Sequence, residues 1–163
     1  GAITGEELHS FQHNRIVKGV AFSQDSSLLV TGSTEKLIRI FDINKPDQYE
    51  NLEIKLDGNY KKLLLFYIIY TLFFLLGPSV LTGHTGAIKD VTFLEDNLIV
   101  SIAQDQTMKI WDRRTGTSSQ QLTLATSPNS MEISKDGTII TISHGCSVTF
   151  LKKAMGKNLN DKF

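Results

Sequence analysis

The apolar positions of this chain fall into short alternating runs, grouped in threes and separated by turn residues. The clearest group is Ile88–Phe93, Leu98–Ala103 and Met108–Asp112, whose period of two predicts three antiparallel strands. Asp96-Asn97 and Gln104-Asp105-Gln106 supply the turn chemistry between them. An earlier group repeats the pattern: Ile16–Phe22 (IVKGVAF) parallels IKDVTF, Leu28–Gly32 parallels Leu98–Ile102, and LIRIFD parallels TMKIWD. The distances agree, since Phe22 lies 19 residues before Phe41 and Phe93 lies 18 before Trp111. A weaker third group comprises Met131–Ile133, Ile139–Ile142 and Ser147–Leu151, with Asp136-Gly137 as a hairpin turn. Phe150 falls 39 residues after Trp111. Ahead of all three groups, Glu7–Phe11 predicts one short strand, the outer strand of a preceding unit.

One segment breaks the period. Asp42 and Asp112 are 70 residues apart, roughly 25–30 more than one repeat of this kind requires. The surplus lies in GNYKKLLLFYIIYTLFFLLGPSVL, where Leu63–Leu76 carries no charge. Three readings stand. A membrane span held by Leu63–Leu81 approaches the about 20 residues a helix needs, but Pro78 interrupts its end. A buried helix or extra strand is the second. The third is an insertion foreign to the fold, such as a retained intron, which would be an aggregation liability if exposed. The chain thus divides into 1–57 (an outer strand and a first repeat), 58–81 (apolar insertion), 82–125 (second repeat), 126–155 (degenerate third repeat) and 156–163 (polar, lysine-containing tail).

The second repeat opens on Gly83-His84 and closes on Trp111-Asp112, the signature of a β-propeller blade of about 40–45 residues. Its polar residues need a separate explanation. His84, Ser101, Asp105 and Trp111 stand where such blades place a structural tetrad, in which aspartate holds imidazole, imidazole holds hydroxyl, and hydroxyl accepts from the indole N–H. A serine, a histidine and an aspartate also suggest a hydrolase, but that leaves the tryptophan and the strand spacing unexplained. In the first repeat the tetrad is degenerate: His13, Thr31, Glu35 and Phe41 take the four positions, and Gln12 replaces the glycine. Phe41 has no N–H to donate, so this blade should rest more on apolar packing. In the third, His144 takes the aspartate position and Ile140 the hydroxyl position, with no Gly-His.

Charge and composition narrow the function. Lys plus Arg and Asp plus Glu both number 17 in 163 residues, which argues against direct nucleic-acid binding through bulk charge. Cys146 is the only cysteine, so neither a disulfide framework nor a thiolate metal cluster is expected, and a reduced compartment fits. No Walker loop, zinc spacing, nucleophile elbow or paired-carboxylate site is present, so no catalytic residue, metal, cofactor or small-molecule substrate is expected. Residues 1–10 have no signal-peptide core, and the chain begins with Gly rather than Met, which suggests a fragment, a processed chain or an incomplete gene model. The loops Asn44–Gln48, Thr82–Gly86 and Arg113–Thr117 are candidate contact points.

HNRIVKGVAFSQDSSLLVTGSTEKLIRIFDINKP, GHTGAIKDVTFLEDNLIVSIAQDQTMKIWD and SMEISKDGTIITISHGCSVTF together resemble the WD-repeat family, and within it adaptors that associate with receptor serine/threonine kinases. The INKP turn and the SME and HGCSVTF stretches are the more specific part, and the resemblance covers about 1–57 and 82–151. It implies an all-β, partial WD-repeat β-propeller, about three blades of a seven-bladed ring, interrupted by a foreign apolar insertion. It also implies a non-catalytic scaffold, cytoplasmic and also nuclear. The implied partners are components of the survival-motor-neuron complex, which assembles spliceosomal ribonucleoproteins, and receptor kinase signalling proteins. Three blades alone would leave an apolar face at each end of the arc and an unpaired outer strand. Poor solubility of the isolated chain, or a longer natural chain, is therefore expected.

Overall fold

The structure, a computed structural model, describes Gly5, residues 8–46 and residues 79–152. Eleven strands run through them: β1 (Val17–Phe22), β2 (Leu28–Ser33), β3 (Ile38–Asp42), β4 (Ser79–Leu81), β5 (Ile88–Glu95), β6 (Leu98–Ala103), β7 (Thr107–Asp112), β8 (Thr117–Thr123), β9 (Pro128–Ile133), β10 (Ile139–His144) and β11 (Ser147–Lys152). They form three antiparallel sheets, ordered β1-β2-β3-β4, β5-β6-β7-β8 and β11-β10-β9.

The two faces of the central sheet explain why its middle strand reads as continuously apolar. Strand β6, LIVSIA, is buried at all six positions. Its odd-numbered side chains, with Val91, Phe93 and Trp111, pack against Ala21, Leu28, Val30, Ile38 and Ile40 of the first sheet. Leu98, Val100 and Ile102, with Met108 and Ile110, pack the other way, against Ile140, Ile142, Met131, Ile133 and Leu151 of the third sheet. A strand covered on both faces loses the alternation that an edge layer keeps. The first strands of the three sheets, β1, β5 and β9, lie side by side. Gly19 makes that approach possible: a Cβ there would sit 2.8 Å from the Val91 nitrogen and 3.0 Å from Asp90 Oδ1. Asp90 in turn joins the next sheet, accepting from the backbone N–H of Met131 at 3.1 Å.

The hairpins of the outer sheets are built alike. Asp25 accepts from the hydroxyls of Ser23 and Ser27, and Asp136 from those of Ser134 and Thr138. These bonds hold each carboxyl down at about 2. The left-handed residue following each aspartate is Ser26 in one turn and Gly137 in the other.

Four expectations need correction. Ser79–Leu81 is not part of a foreign insertion, since it forms β4 and pairs with β3, with Leu81 fully buried opposite Ile38. The rest of the expected insertion, 58–78, lies outside the described residues, as does the tail 156–163. Among the described residues no helix is long and apolar enough to cross a membrane. Leu8–Phe11 is in no strand, although Glu7–Phe11 reads as one, because no strand of the described residues stands beside it to complete a ladder. Strand β8, TSSQQLT, was not predicted: it is a largely exposed edge with no apolar alternation to reveal it. In the third sheet the register is offset from the sequence reading. Ile142 pairs with Met131 and Thr149 as Ser101 pairs with Val91 and Lys109, so Ile142, not Ile140, occupies the hydroxyl position. Leu151 rather than Phe150 then matches Trp111. The turn Gly145-Cys146 has one residue fewer than Gln104–Gln106, which shifts every later position by one.

Candidate functional site

The polar centre of the second blade is assembled from four places in the chain. Trp111 comes from β7 and Ser101 from β6, both facing the first sheet. His84 comes from the segment entering β5, and Asp105 from the β6–β7 turn. Gly83, at φ +143°, lets the entering segment lie against the indole, where a Cβ would meet Trp111 Cη2 at 3.2 Å. The Trp111 indole N–H donates to Ser101 Oγ at 2.8 Å. Ser101 Oγ lies 2.7 Å from His84 Nε2, and His84 Nδ1 lies 2.9 Å from Asp105 Oδ2.

The donors and acceptors in this row admit one arrangement. An ionised Asp105 only accepts, so His84 carries its proton on Nδ1, leaving Nε2 to accept from the Ser101 hydroxyl. Asp105 also accepts from the backbone N–H of Thr85 at 2.8 Å and from the N–H and hydroxyl of Thr107 at 3.1 and 2.7 Å. Burial pushes this carboxyl up, yet the hydrogen bonds from Thr107, His84 and Thr85 outweigh it and leave it well below the ordinary carboxylate range. Burial first, and with it the Lys109 charge, lower the His84 imidazole and together outweigh the raising effect of the neighbouring Asp105. His84 is therefore neutral at pH 7, and its contact with Asp105 is a hydrogen bond rather than an ion pair. Thr107 was not singled out from sequence; its place two residues after Asp105, an Asx-type spacing, was the available signal.

The geometry also answers the hydrolase alternative. Ser101, His84 and Asp105 do stand in serine–histidine–aspartate order. But Ser101 has 0 % exposure, and its oxygen is enclosed between the imidazole and the indole N–H. A nucleophile requires a reacting carbon at its oxygen, and here no substrate can approach it.

The first blade brings His13, Thr31, Glu35 and Phe41 to the same relative places but joins them differently. Arg39 lies between the carboxylate and the imidazole. Its guanidinium donates to Glu35 Oε1 and Oε2 at 3.2 and 2.6 Å, and to His13 Nδ1 at 2.7 Å. The arginine bond is the main reason the Glu35 carboxyl lies low. An arginine cannot accept, so His13 carries its proton on Nε2 and donates to Thr31 Oγ1 at 3.3 Å. That is the tautomer opposite to that of His84. Burial first and then the Arg39 charge lower the His13 pKa. Phe41 is stacked on Phe11 at 4.4 Å between ring centroids, at positions that Trp111 and Thr82 hold in the second blade. Arg39 was missed because it occupies the position of Lys109, which turns instead to Gln121 Oε1 at 2.5 Å. In the third blade His144 bonds Thr149 Oγ1 at 2.7 Å and Thr126 Oγ1 at 3.2 Å, so no four-residue row forms.

The candidate contact loops do not share one face. Arg113 N–H donates to the Asn97 carbonyl and Ile43 N–H to the Ser27 carbonyl, which places Arg113–Thr117 and the described part of Asn44–Gln48 at one end of the sheets. Thr82–Gly86 lies at the other end, beside Asp105. Among the described residues no group of three or more His, Cys, Asp or Glu could hold a metal ion.

Repeated four-stranded sheets stacked face to face, with a buried row from aspartate to tryptophan, define a WD-repeat chain folded as part of a β-propeller. The WD domain, G-beta repeat pattern matches residues 5–42 and 78–112. The chain is similar to the serine-threonine kinase receptor-associated protein of Gallus gallus, 34% identical over 149 residues that cover 91% of this chain and 35% of the relative. The same protein of Homo sapiens is 32% identical over the same shares, and that of Dictyostelium discoideum 33% identical over 91% of this chain and 41% of the relative. The chain thus spans little more than a third of the length of the curated relatives it matches.

Proposed function

We propose that this chain is a non-catalytic WD-repeat scaffold, presenting its blade ends and loops to other proteins. The observation that carries the reading is the burial of its polar chemistry. Among the described residues the serine–histidine–aspartate row is enclosed within the sheets, which supports a role in binding through exposed surface. Among its partners we place receptor serine/threonine kinases, after the name of its relatives, and components of the survival-motor-neuron complex, after the family resemblance. Its setting is the cytoplasm and the nucleus, with spliceosomal ribonucleoprotein assembly and mRNA splicing as the process served.

Affinity purification of the endogenous protein from detergent-free extract, with mass spectrometry of the eluate, tests this. Co-recovery of survival-motor-neuron components or receptor kinases is the expected result. A protein found only in carbonate-resistant membranes, with peptides from Leu63–Leu81 present, would overturn the reading in favour of a membrane-anchored fragment.

A further inference from the structure

The formal charge of the chain is zero, but its charges are not spread evenly over the molecule. At the end of the sheets that carries His84 and Asp105, the described carboxylates are engaged from within. Glu35 accepts from the Arg39 guanidinium and from the backbone N–H of Arg15. Asp105 accepts from His84, Thr85 and Thr107, and Asp90 from the backbone N–H groups of Val91 and Met131. The cations of the same end turn the other way. Arg15, Lys18 and Lys36 are exposed and Lys89 is half-buried. Among the described residues none of these four forms an ion pair. The opposite end mixes exposed charges of both signs, with Asp25, Asp96 and Asp136 beside Lys45 and Lys135.

Two of the cations stand at a repeated irregularity of the backbone. Strand β1 pairs Val17 with Ser33 and Gly19 with Gly32, which leaves Lys18 as an extra residue. Strand β5 pairs Ile88 with Ala103 and Asp90 with Ile102, which leaves Lys89 extra at the same place. In β9 the extra residue is Asn129. A bulge of this kind takes one side chain out of the pleat and re-aims it. The close approach of Gly19 to Asp90 sets the first two bulges next to each other. Lys18 and Lys89 therefore share one patch, with Arg15 and Lys36 on the same end of the first blade. Because the sheets stack face to face, a further sheet on either side covers a face and leaves this end open.

We propose that this patch binds an acidic, extended peptide segment of a partner protein, whose carboxylates span Lys18 and Lys89. This rests on the scaffold reading above and names the chemistry of one partner. An incoming anion meets cations that no described carboxylate neutralises, and such complementarity speeds encounter and fixes register. A peptide is favoured over a nucleic acid because the rings near this end are already engaged: Phe11 with Phe41, His13 with Arg39, and His84 with Ser101. Among the described residues, no ring at this end is left to stack on a base.

Fluorescence anisotropy on the purified full chain tests the patch, with a labelled peptide of alternating aspartate and glycine as probe and its asparagine counterpart as neutral control. Saturable binding of the acidic probe, lost at high salt, is expected. Lys18→Glu and Lys89→Glu should each weaken it by about tenfold, while Lys135→Glu at the opposite end leaves it unchanged. Native emission from the single, buried Trp111 reports that each variant is folded. Equal binding of the neutral peptide, indifference to both charge reversals, or tighter binding of a labelled single-stranded RNA would overturn the proposal. Affinity purification separates its failure from that of the scaffold reading. Partners recovered by the wild-type chain and all retained by the Lys18→Glu, Lys89→Glu double variant would remove the patch and leave the scaffold standing. A wild-type chain that recovers no partner removes both.

Discussion

The first and second blades solve one problem with opposite hydrogen-bond polarity. In the second, four neutral or acidic groups form a direct row in which the Trp111 indole donates, Ser101 and His84 each accept and donate in turn, and Asp105 accepts. In the first, the glutamate is joined to the imidazole through Arg39, the imidazole protonates on its other nitrogen, and the row ends at Thr31 beside a phenyl ring. The ring positions barely move: His84 and Trp111 are 5.7 Å apart, His13 and Phe41 5.8 Å. What the fold demands is a pair of rings at these points; the polar path between them can be rewired if a long cation is at hand.

Removing the anchor of each row should separate them most. Asp105→Ala strands the protons of His84, Thr85 and Thr107 together, and urea unfolding should record a loss of about 3 kcal/mol. Ser101→Ala leaves the indole N–H without its acceptor and His84 Nε2 without its donor; about 2 kcal/mol is expected in the same assay. If that variant instead costs nothing, the second row is ornamental and the contrast collapses. Arg39→Met deprives His13 and Glu35 of one shared donor while keeping the apolar stem, so about 1 kcal/mol is expected. The corresponding Lys109→Met should cost less, since Lys109 donates to the single side chain Gln121 and lies 5.9 Å from the Trp111 ring rather than joining a carboxylate to an imidazole.

The smallest effect is in pH. Both imidazoles have folded pKa values below the ordinary 6.5, so below that value the unfolded chain binds protons that the folded chain does not. Stability should be full above about pH 6.5 and decline as pH falls below it. The slope of unfolding free energy against pH between 7 and 5 should therefore be positive, and His13→Gln should make it shallower. Asp105, also depressed, contributes stability that is lost only further down, below its ordinary value of 3.8.

Much of this was legible in the sequence because two repeats carry the same spacing. Alternation and turn residues located nine of the strands to within a few residues, and the Gly-His to Trp-Asp frame brought out the four residues of the second row. What escaped had physical reasons. Arg39 reads as a solvated charge on an alternating strand, and only the replacement of tryptophan by Phe41 hints that the row must be satisfied otherwise. Strand β8 carries no apolar period. The third blade misled because one residue fewer in a turn exchanges the faces of everything after it. Ser79–Leu81 took on the character of the apolar run before it, though its pairing belongs to β3.

That last assignment changes what residues 43–78 are topologically. They join two adjacent antiparallel strands, β3 and β4, the same connection that Arg113–Gly116 makes between β7 and β8. A hairpin tip can be lengthened without rethreading any strand. Because closure entropy grows only as the logarithm of length, an about ninefold longer connection costs roughly 2 kcal/mol more. The tip of the first blade is thus a port: a place where foreign sequence can be spliced in, or a chosen cargo grafted, while the propeller framework on either side keeps its register.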